Sequence, residues 1–354
     1  MNTSLYNASE KDGKEISRIL ESSAGNGNID LSYTRRPDAY ESYMKEPGEA
    51  RVFVSKKDGK AICTCAELIR NVYIGKEKSK AAYICGLKKD PEYKKEFGFG
   101  GGAIRNIQRD DIDYYFCCVV SDNEDTQKKF EKSMGLLSIK RMCSYKTYII
   151  NPNVKIKAQK HSYNFRRAKK EDMPKLLEFI NKEGKKKDLF PVIDSLEEFY
   201  NLHPEDFCIL FDGDEIIAAG AIWNTTNYKQ YTVIRYNKLM KFARVFNPII
   251  SALGYVKLPK ENEPIRFPML SFLTFKDENE EDYFIFLNEI RKEISKEYNI
   301  FAFGVPDGHF ARNRLDKIPN VSFESIIYEL KFPWSNQKYK NIDMSNLSTE
   351  SGLL

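Results

Sequence analysis

"GLKKDPEYKKEFGFGGGAI", residues 86–104, is the most informative segment of the chain, because four of the five residues from Gly98 to Gly102 are glycine. Glycine weakens helices and strands, since it loses more backbone entropy on folding than any other residue. A run of glycines is therefore expected where another group must approach the backbone closely. This run lies between a strand-like segment and a segment that could begin a helix, which is a favourable place for a phosphate group.

Two common phosphate loops fit the glycine run poorly. A Walker loop requires Lys followed by Ser or Thr after its last glycine, and Ala103-Ile104 stand there instead. The dinucleotide fingerprint is closer, because Gly98, Gly100 and Ala103 have its spacing and Asp122 follows 24 residues after Gly98. That fingerprint follows its strand directly, however, and here the charged segment KKDPEYKKEF intervenes. An NAD-dependent enzyme stays an alternative.

The chain repeats itself with an offset of 160 residues. The segment YNASEKDGKEISRIL (6–20) resembles RRAKKEDMPKLLEFI (166–180), and each combines a short strand with an amphipathic helix. A strand–turn–strand pattern follows in each half, at 50–69 and 207–223, and a strand, a helix and a last strand come later. We therefore predict an α/β fold with a mixed sheet that is used twice.

Composition and length predict two domains of a cytoplasmic globular protein. The predicted segments are a first domain at 1–150, a linker at 151–163, a second domain at 164–334 and a loosely ordered polar tail at 335–354. A net charge of +5 is too mild to predict a nucleic-acid partner. The sequence has neither a secretory signal nor a run of about 18 apolar residues, so we expect no membrane partner. Its seven cysteines lack the spacing of a zinc site, so we expect reduced thiols and no metal.

Residues 83–100, YICGLKKDPEYKKEFGFG, resemble the coenzyme A signature of the GCN5-related N-acetyltransferase (GNAT) superfamily. In that family a proline–aromatic–basic segment leads to a loop of the form Gln/Arg-x-x-Gly-x-Gly/Ala. The segment SDNEDTQKKFEKSMGL (121–136) is similar to the family's asparagine-containing helix, and Asn123 matches its asparagine. The resemblance covers residues 3–150 well and 164–332 loosely, and it extends to an uncharacterised bacterial group of tandem proteins.

The resemblance implies a tandem duplicated acyl-CoA N-acyltransferase (GNAT) fold, with acetyl-CoA or coenzyme A as the cofactor. Backbone N–H groups of the glycine loop and of the following helix would hold the pyrophosphate. The preceding strand would bind the pantetheine amides by strand addition. The coenzyme-binding residues that this implies are Leu87, Lys88, Lys89, Lys95, Glu96, Phe97, Gly98, Phe99, Gly100, Gly101 and Asn123.

Two features depart from the family pattern. The tyrosine that often protonates the leaving thiolate aligns with Phe130, which has no proton to give. In the second half, TFKDENEEDYFIFL (274–287) stands in the place of the glycine loop. This segment has no glycine, and its negative charge would repel a pyrophosphate. We therefore expect one coenzyme site, in the first half.

Acyl transfer to an amine needs a base for the amine, a donor to the thioester carbonyl and an acid for the thiolate. Glu67 is the predicted base, because it ends an alternating strand beside the coenzyme strand. Tyr145 is the predicted acid, because its SYKT context is polar, and Tyr83 and Tyr115 on central strands are alternatives. A backbone N–H near residues 87–89 would polarise the carbonyl.

The predicted activity is transfer of an acetyl group from acetyl-CoA to a primary amine, directly within a ternary complex. The expected acceptor is a small molecule or a peptide, and the protein is expected to be a monomer or a homodimer. A catalytically silent coenzyme A-binding scaffold is an alternative from another class, and Phe130 is consistent with it. A tRNA-dependent aminoacyl transferase of the same duplicated fold would require a stronger basic patch.

Overall fold

β-Strands dominate the computed structural model, which describes residues 5–22, 29–93, 105–131, 137–332 and 340–354. The strands in these residues are β1 (Tyr6–Asn7), β2 (Ile29–Arg35), β3 (Glu49–Lys57), β4 (Lys60–Ile74), β5 (Glu77–Lys89), β6 (Tyr114–Val120), β7 (Ser138–Ile150), β8 (Asn164–Arg167), β9 (Phe207–Asp212), β10 (Glu215–Trp223), β11 (Lys229–Tyr236), β12 (Met269–Phe275), β13 (Phe301–Pro306) and β14 (Val321–Lys331). The α-helices are α1 (Gly13–Glu21), α2 (Ala39–Tyr43), α3 (Glu124–Glu131), α4 (Met173–Gly184), α5 (Lys238–Val245), α6 (Asn247–Ala252), α7 (Glu280–Ile294) and α8 (Arg312–Leu315).

One continuous sheet contains twelve of these strands, in the order β1-β3-β4-β5-β6-β14-β7-β13-β12-β10-β9-β8. The last strand of each half crosses to the other half, because β14 pairs with β6 and β7 pairs with β13. The two crossing strands also pair with each other in the centre of the sheet. The pairs β5–β6 and β12–β13 are parallel, and the neighbouring pairs are antiparallel. The predicted α/β fold with a mixed, duplicated sheet is confirmed.

The internal repeat has a local structural cause. Asp12 accepts a hydrogen bond from the backbone N–H of Ser9 at 2.9 Å, and Asp172 accepts one from Lys169 at 2.7 Å. Each carboxylate thus closes the turn that leads from the first strand of its half into the first helix. The predicted hairpins are also present, and the first turns at Asp58 and Gly59, which both have positive φ as a tight hairpin requires.

Helices cover both faces of the first half. Helices α1 and α2 pack on the face that carries Ala66 and Leu68 of β4, and this face is called the α1 face. Phe130 of α3 packs on the face that carries Cys65 and Ile69, which is called the α3 face. Because side chains alternate along a strand, neighbouring residues of β4 and β5 belong to different faces.

A two-stranded ribbon joins the two halves outside the main sheet. β2 of the first half pairs with β11 of the second, with Lys229 opposite Arg35 and Tyr231 opposite Tyr33. The ribbon is anchored to α2, because the Ser42 hydroxyl donates to the Tyr228 carbonyl at 2.7 Å. It therefore lies on the α1 side of the first half.

The prediction of a loosely ordered tail is wrong for residues 340–354. Leu347 and Leu353 are buried, each in the core of a different half. The backbone of the segment is held as well, because the side chain of Asp188 accepts from the N–H of Asp343 at 2.7 Å. The backbone of Asp188 also forms hydrogen bonds with the backbone of residues 346 and 348. The few apolar residues of this segment have no regular spacing, so the sequence pattern did not indicate their burial.

The stretch at 228–264, extra to the second half, forms β11 and the helix pair α5–α6. This pair carries large apolar side chains that remain exposed, with 71% of Leu239 and 65% of Phe242 accessible to solvent. None of the described helices, this pair included, is long and apolar enough to cross a bilayer.

Candidate functional site

Strands β5 and β6 diverge within the first half. Their parallel pairing begins at Ala81 and Tyr114 and ends at Ile84 and Cys117. Beyond this point β5 continues to Lys89 along β4, whereas β6 continues along β14. The result is a V-shaped opening in the sheet, with one edge of β5 facing it. An extended chain that contains amides can bind such an edge by strand addition.

Gly86 lies at the start of this opening. Its φ of +59° is in the left-handed region that favours glycine, and a Cβ at this position would stand 2.2 Å from the Tyr43 hydroxyl oxygen. The register between β5 and β4 shifts here, between Thr64 and Ala66. Such a bulge redirects a strand. Backbone therefore lines the opening at Gly86, and Tyr43 supports it from the α1 face.

The structure describes some of the predicted coenzyme-binding residues. Leu87 is exposed beside the opening, Lys88 donates to a carbonyl of α1, and Lys89 ends β5. Asn123 follows β6, and its side-chain oxygen accepts from the N–H of Thr126 at 3.2 Å, so it caps α3 at the wide end of the opening. The predicted residues that lie outside the described residues are Lys95, Glu96, Phe97, Gly98, Phe99, Gly100 and Gly101.

The region between the ribbon and the diverging strands is called the recess. Cys85 and Cys118, the first residues beyond the last β5–β6 pair, are partly buried against the α1-face core. On the ribbon, the rings of Tyr33 and Tyr231 lie 5.1 Å apart. Tyr231 keeps 36% of its surface exposed, yet burial raises the pKa of its hydroxyl, although the Arg35 charge opposes the shift.

Charged side chains meet beside Cys85 in this recess. One oxygen of Glu46 accepts from Arg35 Nη2 and from Lys229 Nζ, each at 2.9 Å. The Arg35 guanidinium carbon lies 3.7 Å from the centroid of the Tyr43 ring. Burial opposes ionisation of Glu46, but Lys229, Arg35 and Arg70 lower its pKa, so it is a carboxylate at neutral pH.

Glu67, the predicted base, lies on the α3 face and away from the recess. It alternates with the α1-face residues of β4, and Arg51 Nη1 lies 2.7 Å from one of its oxygens. Its other oxygen is buried without a hydrogen-bond partner. Burial raises the pKa of Glu67 to about 7, although the Arg51 charge opposes the shift. Burial outweighs the ion pair because the carboxylate is removed from water while Arg51 keeps contact with it.

The raised pKa of Glu67 predicts that stability falls with increasing pH. The folded chain retains a proton at Glu67 that the unfolded chain loses near its ordinary pKa of 4.5. The free energy of unfolding is therefore expected to decrease from pH 4.5 to about 7, by up to about 3 kcal/mol from this carboxyl. Urea unfolding at both ends of this range should show a weaker pH dependence in Glu67→Gln. The exposed-site control Glu178→Gln should retain the full dependence, and equal dependence in both variants would contradict the assignment.

Tyr145, the predicted acid, lies on the α1 face and holds the C-terminal segment. Its hydroxyl donates to the Thr349 carbonyl at 3.0 Å and is 2.7 Å from the Ser351 hydroxyl. Burial raises its pKa, so the phenol stays protonated at neutral pH. Glu67 and Tyr145 are on opposite faces of the sheet, and the structure does not bring them together.

Tyr145→Phe is expected to loosen residues 347–353. The change removes both hydrogen bonds to this segment, at a cost of about 1–3 kcal/mol in the free energy of unfolding. Amide hydrogen exchange should accelerate across the segment. Tyr148→Phe is the matched control, because this tyrosine of the same strand binds Asp316 instead, at 2.6 Å. Equal acceleration in both variants would show that Tyr145 does not anchor the segment.

The second half has a corresponding opening, which the C-terminal segment occupies. The described pairing of β12 with β13 is limited to Met269 and Ala302. Glu350 then accepts a hydrogen bond from the backbone N–H of Phe272 at 2.7 Å. Phe272 has a φ of +56°, close to that of Gly86 in the first half. The chain thus fills its second opening with its own residues.

A cavity of about 30 Å³ remains beside this segment, lined among others by Gly304, His309 and Glu350. It has room for one or two water molecules and not for a coenzyme. Burial lowers the pKa of His309 to about 3 and raises that of Glu350 to about 7, so both are suited to an uncharged interior. Among the described residues, no group of three or more His, Cys, Asp and Glu side chains is placed to hold a metal ion.

Sequence reasoning missed the ribbon and the way in which it brings these charges together. Arg35, Glu46 and Lys229 come from separate segments, and no spacing signals that they meet. The bulge at Gly86 could have been predicted, because a glycine inside a strand pattern indicates a bulge or the close approach of another group to the backbone.

Comparisons with protein-family models and with curated protein sequences gave no match. Solved structures do match. Saccharomyces cerevisiae N-myristoyltransferase with bound myristoyl-CoA aligns over 99% of this chain and 90% of its own, with a TM-score of 0.59 and 10% identity. A probable N-acyltransferase of unknown function from Enterococcus faecalis V583 aligns over 93% and 72%, with a TM-score of 0.52 and 9% identity. A GCN5-related N-acetyltransferase from Anabaena variabilis ATCC 29413 aligns over 92% and 72%, with a TM-score of 0.50 and 12% identity.

These matches extend over nearly the whole chain, and 90% and 72% of the two matched chains with the higher TM-scores are covered as well. Together with the two diverging parallel pairs and the repeated order of elements, they show the fold. The chain has the GNAT-superfamily fold in a tandem form. The tandem GNAT fold expected from the resemblance is therefore confirmed.

Proposed function

We propose that the chain is an acyl-CoA-dependent N-acyltransferase with one coenzyme site, in the opening between β5 and β6. The observation that carries the proposal is the divergence of two parallel strands directly before a left-handed glycine. The proposed donor is acetyl-CoA, and the proposed acceptor is a primary amine of a small molecule or peptide. Support also comes from the yeast N-myristoyltransferase of the same fold, which binds myristoyl-CoA.

The residues around the opening suit an acyl-CoA. The edge of β5 beyond Ile84 can pair with the pantetheine amides, and Asn123 lies at the end where the pyrophosphate would sit. The glycine-rich loop and Lys95 are proposed to hold that pyrophosphate. The thioester would then stand near Cys85 and Leu87, where a backbone N–H can donate to its carbonyl oxygen.

Direct transfer in a ternary complex suits the chemistry of the recess. Burial raises the pKa of Cys85 and of Cys118 to about 11 each, so both are neutral thiols and weak nucleophiles. The amine nitrogen of the acceptor would therefore attack the thioester carbon itself. A C–N bond forms, the C–S bond breaks, and the proton lost by the amine ends on the coenzyme thiolate.

Glu67 remains the proposed base and Tyr145 the proposed acid. Each would have to overcome a different structural obstacle. Tyr145 lies on the recess face and is protonated, but its hydroxyl already donates to Thr349. Glu67 has a pKa of about 7, which suits a general base, but it is separated from the recess by the sheet and would act through water. If Glu67 is the base, Glu67→Gln should remove the acidic limb of the pH–rate profile for acyl transfer.

Calorimetric titration with acetyl-CoA, with myristoyl-CoA and NAD in parallel, tests the proposal. We expect acetyl-CoA to bind at one site per chain and NAD not to bind. Release of coenzyme A thiol across a panel of amines then tests transfer. Absence of acyl-CoA binding would contradict the proposed function.

The catalytically silent scaffold has one observation in its favour. Phe130, at the position of the usual thiolate acid, is buried with its ring edge against Tyr328 at 5.1 Å between centroids. A side chain without an ionisable proton therefore occupies the position of the thiolate acid. Coenzyme binding without transfer or hydrolysis in the amine panel would favour this alternative.

A further inference from the structure

The charged cluster of the recess has more positive than negative charge. Arg35, Arg70 and Lys229 face Glu46, and the tyrosines among them are neutral because burial raises their pKa. Arg35 and Lys229 share one oxygen of Glu46, and Lys229 also donates to the Gly352 carbonyl at 2.9 Å. Arg70 takes no part in this pairing. With all four ionised, these side chains carry an excess of two positive charges, a state that burial opposes by lowering the pKa of Lys229 and of Arg70.

Arg70 presents buried donors without a partner. Its Nε and Nη2 atoms are both buried and lack a hydrogen-bond partner. The Nε atom of Arg35 is also buried and lacks a partner. A buried donor without a partner costs about 1–3 kcal/mol, and more when it is charged. The Nε and Nη2 of one guanidinium form a planar fork that matches the two oxygens of a carboxylate. The free edge of Arg70 is therefore shaped for this group.

The cluster lies close to the place where the thioester is expected. Arg35 stacks on the Tyr43 ring, and the Tyr43 hydroxyl reaches Gly86 at the start of the opening. Arg35 and Arg70 both lie near Cys85, the residue before Gly86. The buried Tyr43 side chain thus connects the cluster to the start of the opening.

We propose that Arg70, Arg35 and Lys229 form a carboxylate-binding site, and that the acceptor is an amine that also carries a carboxylate. The acceptor class is then an amino acid or a short peptide rather than a simple amine or a polyamine. This inference rests on the proposed acyl transfer. It adds the group by which the acceptor is recognised.

Paired amines that differ only by a carboxylate test this site. The pairs are lysine with cadaverine, tyrosine with tyramine, and tryptophan with tryptamine. For at least one pair, we expect the carboxylate-bearing member to be acetylated with a kcat/KM about 100-fold higher, since a site built for a charged group rejects analogues that lack it. Equal kcat/KM values within every pair would overturn the carboxylate site and leave the acyltransferase proposal standing.

Arg70→Gln should remove this preference, and Arg70→Lys should restore part of it. Arg167→Gln is the matched control, because this arginine lies on β8 at the far edge of the sheet. If no amine is acetylated, calorimetric titration with the same pairs in the absence of acyl-CoA still tests the carboxylate site. Binding of a carboxylate-bearing member that Arg70→Gln abolishes supports the site, and absence of such binding overturns it. Loss of stability in Arg70→Gln with an unchanged preference would show that the cluster is only structural.

A second, independent observation concerns helices α5 and α6. Their exposed apolar side chains adjoin a basic stretch, since residues 237–260 contain five basic residues and no acidic one. The large apolar residues exposed here are Leu239, Phe242, Val245, Phe246, Ile249 and Leu253. The flanking Glu261 and Glu263 pair with Lys241 and Lys260, which leaves a positive balance.

We infer that this helix pair docks on an anionic lipid surface. Short amphipathic helices with apolar and basic side chains bind at the interface of such membranes. A second copy of the chain fits the same face less well, because the association would bring two basic patches together.

Co-sedimentation of the full chain with vesicles tests this docking. We expect binding to vesicles of phosphatidylcholine with phosphatidylserine, much weaker binding to phosphatidylcholine alone, and loss of binding in Phe242→Glu and Ile249→Glu. Phe323→Glu, at an exposed phenylalanine of β14, is the control that should still bind. Failure to bind either vesicle, or a dimer that Phe242→Glu dissociates, would overturn the inference.

Discussion

Gly86→Ala is expected to lower the free energy of unfolding by about 2–4 kcal/mol and to abolish measurable acyl-CoA binding. The methyl group would stand 2.2 Å from the Tyr43 hydroxyl oxygen, and the residue would have to keep a left-handed backbone. Relief of the clash and of the backbone strain requires β5 to shift at the start of the opening. The shift would displace the edge on which the pantetheine is proposed to bind. Urea unfolding and calorimetry measure the two effects.

Gly75→Ala separates backbone strain from the clash. Gly75 has nearly the same φ, +58°, but no atom lies within 4 Å of an added Cβ. This variant should lose only about 1 kcal/mol and bind acyl-CoA normally. In a Tyr43→Phe background the nearest atom to the new methyl group is a ring carbon at 3.3 Å, so Gly86→Ala should cost less there. An equal cost in both backgrounds would show that the clash does not set the effect.

Glu46→Gln is expected to lower the free energy of unfolding by about 3–5 kcal/mol. The Glu46 side chain is fully buried, and Arg35 and Lys229 both pair with its carboxylate. Its neutralisation leaves those two cations and Arg70 together without a negative partner from this cluster. Urea unfolding at neutral pH, where Glu46 is ionised, measures the loss.

Asp194→Asn provides the comparison for Glu46→Gln. Asp194 pairs with Lys78 at 2.8 Å, but both side chains are more than half exposed, so this change should cost less than about 1 kcal/mol. Similar losses in the two variants would mean that the buried cluster contributes no more than a surface ion pair. That result would remove the physical basis for a charged site in the recess.

The elements of each half could be predicted from the sequence, because local signals specify them. The Asp58-Gly59 turn, the apolar alternation of the hairpins and the carboxylates before the first helices act within a few residues. The repeat then predicted the duplicated fold. The crossing of β7 and β14 could not be predicted, since an apolar strand pattern does not specify which strands are its neighbours.

The candidate site was predictable only along the coenzyme strand. Glu67 and Tyr145 were chosen on strand position and context, and the structure places them on opposite faces. Residues on both faces of β4 are largely apolar, so alternation did not indicate which face adjoins the acceptor. Arg35, Glu46 and Lys229 meet only because the ribbon joins the two halves.

Amide hydrogen exchange with and without acetyl-CoA tests the central claim most directly. If the pantetheine adds to the edge of β5, acetyl-CoA should slow exchange at residues 85–89 and leave the corresponding edge of β12 unchanged, because the C-terminal segment already covers it. Acetyl-CoA binding without protection of residues 85–89, or no binding at all, would contradict a coenzyme site between β5 and β6.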